Sequence, residues 1–143
     1  PMLSDLLLFV PGDPLPKSLE GALATALHSP TVRRSRPTGL YWETYEKTDS
    51  SVTVELAVSN IKPKDKNEPP YPVGRPSCPF AAPAHSPVRL RWVEEPATRP
   101  SGVGRSVVID LHTVSPGRAL VTLQTSVSGR VRGCSSREIQ IVK

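Results

Sequence analysis

The sequence predicts an all-β fold: a two-sheet sandwich of about seven strands, with one short helix and a long proline-rich loop. Three observations carry this. Proline makes up 17 of the 143 residues, well above an average usage of about 5%. A residue that cannot donate to a ladder or sit inside a helix forces many connections between short elements. Several segments alternate strictly between apolar and polar residues, the two-residue period of a half-buried strand. Turn-forming residues separate those segments. A length of 143 residues is about one domain, so residues 1–143 are read as a single β-sandwich domain.

The elements follow in order. "LSDLLLFV" at 3–10 reads as the first strand, stopped by "PGDPLP". "KSLEGALATAL" at 17–27 spaces Leu19, Leu23 and Leu27 four apart, with Ala22 and Ala26 beside them. This spacing predicts a short helix with one leucine face turned inward, ended by Pro30; because Gly21 weakens a helix, a loop pinned by the leucines is the alternative. "TVRRSRPT" at 31–38 reads as a basic connector. "GLYWETYE" at 39–46 is the second strand and holds three of the seven aromatic residues. Alternation separates Leu40 and Trp42 from Tyr41, Glu43 and Tyr45. Trp42 is expected in the core, against Trp92. Tyr41 and Tyr45 fall on the other face, where they line a sugar or protein contact or are covered by the 62–87 loop. The pattern leaves these open.

"SVTVELAVS" at 51–59 points Val52, Val54, Leu56 and Val58 one way. Residues 62–87 have no period and contain eight prolines, so a long loop or arm is expected there. "VRLRWVE" at 88–94 turns Val88, Leu90 and Trp92 inward and Arg89 and Arg91 outward. "RSVVIDL" at 105–111 has Val107, Ile109 and Leu111 inward. "RALVTLQTSVSG" at 118–129 puts Ala119, Val121, Leu123 and Val127 in one phase. "CSSREIQIVK" at 134–143 closes with Ile139 and Ile141. Seven strands at this spacing point to an immunoglobulin-like or fibronectin-III-like sandwich.

The chemistry-bearing residues are sparse. His28, His85 and His112 stand apart in sequence, without the spacing of a metal or HExxH site. "GVGRS" at 102–106 lacks the Lys-Ser/Thr end of a phosphate loop, and no GxSxG elbow occurs. Glu94 and Glu95 are adjacent, so on a strand they point to opposite faces and cannot act as a paired acid and base. Asp65, Asn67 and Glu68 are interleaved with Lys62, Lys64 and Lys66, which repel a calcium ion. The expectation is therefore no enzyme, no metal and no cofactor.

The net charge is +5 and the isoelectric point about 9.6. The basic residues lack interleaved aromatics, which argues against single-stranded nucleic-acid binding. A solvated surface is the usual explanation of such scattered charge, and attraction to an acidic protein or to anionic headgroups is the functional one. No run approaches the roughly 18 apolar residues of a membrane helix. The chain begins at Pro1, as expected of a processed or partial chain from which a signal or anchor has been lost. Cys78 and Cys134 are too far apart for a CxxC motif; they read as one disulfide of an exported protein or as two free thiols.

"LSDLLLF", "SLEGALATAL", "GLYWETY", "VTVELAVS", "VRLRWVEEP", "VVIDLHTVSPGRALVTLQTSVSG" and "REIQIVK", in this order, resemble the β-sandwich domain at the C-terminus of exported bacterial proteins, often behind a GWxTD-type domain. The likeness runs from Leu3 to Val142 and skips the 62–87 loop. In such domains "PGxYxVxL" precedes the penultimate strand; here "PGRALVTL" puts Ala119 in the tyrosine's place, and no GWxTD motif is present. The chain also resembles the extrinsic sandwich subunit of a bacterial photosynthetic reaction-centre–light-harvesting complex. Either likeness implies a periplasmic or otherwise extracytoplasmic, non-enzymatic structural subunit. It would dock on protein subunits of a larger membrane assembly, touching the membrane only peripherally or through an anchor.

The expected interface is the 62–87 loop together with residues 11–38. Tyr71 and Phe80 are its anchors, Arg33, Arg34 and Arg36 its rim, and Tyr41 and Tyr45 the next candidates. A carbohydrate-binding module using Tyr41, Tyr45 and Tyr71 is the alternative. A hydrolase assembled from distant loops comes third.

Overall fold

A computed structural model describes residues 3–45, 50–61, 86–95 and 103–143. Within these residues the chain forms an all-β sandwich of two sheets and one short helix. The elements are β1 (Leu7–Phe9), α1 (Leu19–Leu23), β2 (Thr31–Arg33), β3 (Thr38–Thr44), β4 (Val52–Asn60), β5 (Val88–Glu94), β6 (Val103–Ile109), β7 (Gly117–Val127) and β8 (Arg130–Val142). The three-stranded sheet has the order β1-β3-β6 and the five-stranded sheet the order β2-β8-β7-β4-β5. Consecutive strands repeatedly change sheet, which is the Greek-key wiring of immunoglobulin-like sandwiches.

The alternation read from the sequence sets which side chains meet between the sheets. Leu8, Leu40, Trp42 and Ile109 come from the smaller sheet. Val54, Leu56, Val58, Val121, Leu123, Ile139 and Ile141 come from the larger one, and all are buried in one core. Trp42 meets Trp92 as expected, with ring centroids 6.1 Å apart and planes tilted by 52°, a favourable offset geometry. Two arginines tie the layers at their sides. Arg105 of β6 lies 3.1 Å from Glu94 of β5, and that carboxylate also accepts from Trp92 Nε1 at 3.1 Å. Arg137 of β8 donates to the Leu6 carbonyl at 2.7 Å. Burial lowers the Arg137 pKa, and nearby Asp5 partly offsets this.

Three expectations are corrected. The connector at 31–38 contains β2, which runs parallel to β8 with Val32 opposite Ile141. One inward side chain, Val32, is too short a pattern to reveal a period. The first strand is confined to Leu7–Phe9, with Leu3 making an isolated bridge to Thr44. The last strand begins at Arg130 rather than 134. It follows a two-residue turn in which Ser128 and Gly129 both have positive φ, 51° and 79°, the turn that matches the twist of a hairpin. The proline-rich segment lies outside the described residues up to position 85.

Candidate docking surface

The outer face of the three-stranded sheet is built from alternate residues of its strands. In register these are Phe9 beside Gly39 beside Val108, Leu7 beside Tyr41 beside Ser106, and Glu43 beside Gly104. Two glycines let other groups lie close on this face. A Cβ at Gly39 would fall 2.4 Å from the Phe9 ring, and one at Gly104 would fall 2.3 Å from the Lys17 carbonyl oxygen. Residues 14–22 therefore lie directly on the sheet. The Ser106 hydroxyl donates to the Pro16 carbonyl. Ser18 then caps α1, its Oγ accepting from Gly21 N at 3.1 Å, which satisfies an amide that a helix start leaves without a partner.

This packing turns α1 away from its expected orientation. Ala22, not the leucines, meets the sheet: it is fully buried in a cluster with Phe9 and Tyr41, with Leu7 and Leu15 against it. Only a methyl group fits at this separation. Leu19 and Leu23 are displaced to one flank and stand 48% and 54% exposed. Gly21 precedes Ala22 by one residue and Leu23 follows it, so at about 100° per residue they occupy opposite flanks. Gly21 and Thr25 line a groove of about 470 Å³ with Val10, Gly12, Pro14, Leu15, Pro16 and Lys17. Val10, at its edge, is 55% exposed. Segment 24–27 then closes along β1, with Val10 N donating to Thr25 O and Leu27 N to Leu8 O, each at 2.9 Å.

The predicted residues are dispersed. Tyr41 points to the outer face as expected but is buried, because residues 15–22 cover it rather than a ligand. Its hydroxyl donates to Glu43 Oε1 at 3.2 Å. Burial, then the Glu43 charge, push its pKa up to about 12. Tyr45 is 40% exposed, so the two tyrosines do not form an open aromatic platform together. Arg33, Arg34 and Arg36 sit at the β2–β3 turn and not in the groove. Arg33 and Arg36 are exposed, while Arg34 Nε donates to the His112 carbonyl at 2.8 Å. Tyr71 and Phe80 lie outside the described residues.

Sequence reasoning missed Val10, Leu19 and Leu23 as surface residues. The signal was present in the bulk of leucine beside the small Ala22, but it reads as core spacing until the sheet's glycines are placed beneath it.

Other chemistry is limited. His112 Nδ1 lies 2.8 Å from Asp110 Oδ1, and Asp110 also accepts from His112 N at 3.0 Å. The backbone hydrogen bond, then the imidazole, hold the Asp110 pKa down. This is an exposed turn, not an enclosed dyad. Among the described residues no cluster of three or more His, Cys, Asp or Glu side chains could hold a metal ion, and no helix is long and apolar enough to cross a membrane. Cys134 is disulfide-bonded; Cys78, the other cysteine in the sequence, lies outside the described residues. Comparison with family models, curated proteins and solved structures finds no match.

The buried tyrosine gives a pH test. The folded chain keeps the Tyr41 proton to about pH 12, whereas the ordinary tyrosine value is 10.0. The associated stability is fully present below pH 10 and is lost as pH rises toward 12. Denaturation midpoints measured across that window should fall, and Tyr41→Phe should flatten the decline. An unchanged slope in that variant would place the alkaline sensitivity on another group.

Proposed function

We propose that this chain is a non-enzymatic interaction module that docks on protein subunits of a larger membrane-bound assembly, on its extracytoplasmic side. One observation carries the reading: Val10, Leu19 and Leu23 are all about half exposed around the segment that covers the smaller sheet. Aliphatic groups held in water on a capped, well-packed helix gain by burial against a partner, at about 25 cal/mol per Å². Val10 also edges the groove on the opposite flank of α1, where Pro14, Leu15 and Pro16 add apolar lining beside Gly12, Lys17, Gly21 and Thr25. The bonded Cys134 supports maturation in an oxidising compartment, hence the extracytoplasmic side. The finer reading, in which the assembly is a photosynthetic reaction-centre–light-harvesting complex, rests on the sequence resemblance alone.

The test is native isolation from the source membranes in mild detergent. The chain should migrate with a larger complex. The double variant Leu19→Lys/Leu23→Lys, which changes exposed positions only, should reduce the co-migrating fraction at least tenfold. A wild-type chain that migrates alone and soluble would end this reading.

A further inference from the structure

A second surface lies on the far edge of the larger sheet. Among the described strands, β5 is the last in the order β2-β8-β7-β4-β5 and pairs on one side only, with β4. Its two faces are unusual for an edge. Leu90 has the inward phase shared with Val88 and Trp92, yet it is 40% exposed, and outward Val93 is 66% exposed. Among the described residues five strands face a sheet of three, and the inner face at Leu90 stands partly uncovered. Beside these apolar groups the outer face carries Arg89 and Arg91, in register with Ala57 and Glu55. The Arg91 side chain is 73% exposed and its contact with Glu55 is long, at 3.7 Å, a pair of small energetic weight. This strip thus holds two cations and one carboxylate.

We propose that the β5 edge accepts an extended segment of a partner protein as an added strand, with acidic side chains on the same sheet face as Arg89 and Arg91. Edge addition draws affinity from main-chain hydrogen bonds and specificity from alternate side chains. On one face of the added strand, acidic groups directly opposite Arg89 and Arg91 form favourable cross-strand pairs, and like charges there are repelled. On the other face, an aliphatic residue opposite Leu90 completes its cover.

The probe is a fluorescein-labelled nine-residue peptide alternating glutamate and valine, with a lysine–valine peptide as control, titrated against the full chain at low salt. The glutamate peptide should bind at least tenfold more tightly and slow amide exchange across 88–94. Arg89→Glu/Arg91→Glu should invert the preference, and Leu19→Lys/Leu23→Lys should leave it unchanged, which separates this site from the exposed leucines of α1. Equal affinity for both peptides would overturn the proposal, as would binding without slowed exchange at 88–94. Concentration-dependent self-association abolished by Leu90→Lys would overturn it in favour of a second copy of the chain.

Discussion

Replacing Trp42 by alanine should cost about 3–5 kcal/mol, the largest effect expected of any single substitution at the sheet-to-sheet core. Its side chain is fully buried between the sheets and lies against Trp92. Deleting it removes the transfer energy of a large ring and leaves a void that neighbours on two hydrogen-bonded sheets cannot close. Against a total stability of about 5–15 kcal/mol, such a loss leaves little margin. Trp42→Phe should be much milder. The indole Nε1 is buried without a hydrogen-bond partner among the described residues, so phenylalanine also deletes a donor unsatisfied there. Chemical denaturation followed by far-UV circular dichroism distinguishes the two. A phenylalanine variant as weak as the alanine variant would mean that the indole N–H contributes favourably after all.

Gly104→Ala should destabilise the chain by about 1–3 kcal/mol through overpacking, with its effect concentrated on the cover of the smaller sheet. The added methyl would meet the Lys17 carbonyl at 2.3 Å and the Tyr41 hydroxyl at 2.6 Å. A backbone carbonyl cannot rotate aside, so residues 14–18 must lift from the sheet. Hydrogen exchange should accelerate at Gly21 and Ala22, whose amides bond to Ser18, and docking through the groove should weaken in parallel. Gly39→Ala would meet three atoms of the Phe9 ring at 2.4–2.7 Å, and because that ring is fully buried against Ala22 and Tyr41 its cost should be comparable. If Gly104→Ala melts the domain uniformly without local acceleration, the cover and the sandwich form one cooperative unit.

Strand phase was legible wherever apolar and polar residues alternate over five or more positions. Val54, Leu56 and Val58, Val121 and Leu123, and Ile139 and Ile141 all enter the core as their spacing requires. Short elements were not legible: β2 shows one inward side chain, and its partner is more than a hundred residues away. Face assignment succeeded for Tyr41, but what covers that face did not follow. The cover depends on Gly39 and Gly104, on different strands, meeting residues 9 and 17 in space. Leu90 was placed inward correctly, yet whether an inward position is buried depends on the width of the opposite sheet. The candidate docking residues Val10, Leu19 and Leu23 were hidden for the same reason. Periodicity reports direction relative to the backbone, whereas exposure is decided by neighbours distant in sequence.

The pairing of β2 with β8 bears on how the chain is made. Thr31 lies opposite Gln140 and Arg33 opposite Val142, while Arg34 N donates to the Val142 carbonyl at 2.8 Å. The five-stranded sheet is therefore sealed by two strands whose paired residues are made more than a hundred positions apart. During translation β2 must wait with its apolar Val32 uncovered until β8 emerges, and the larger sheet cannot be completed on a shorter chain. Contacts this distant make folding slow, on the scale of milliseconds to seconds. A sheet that closes only once β8 has emerged leaves the edges of β2 and β7 open for as long as the segment before β8 is being made.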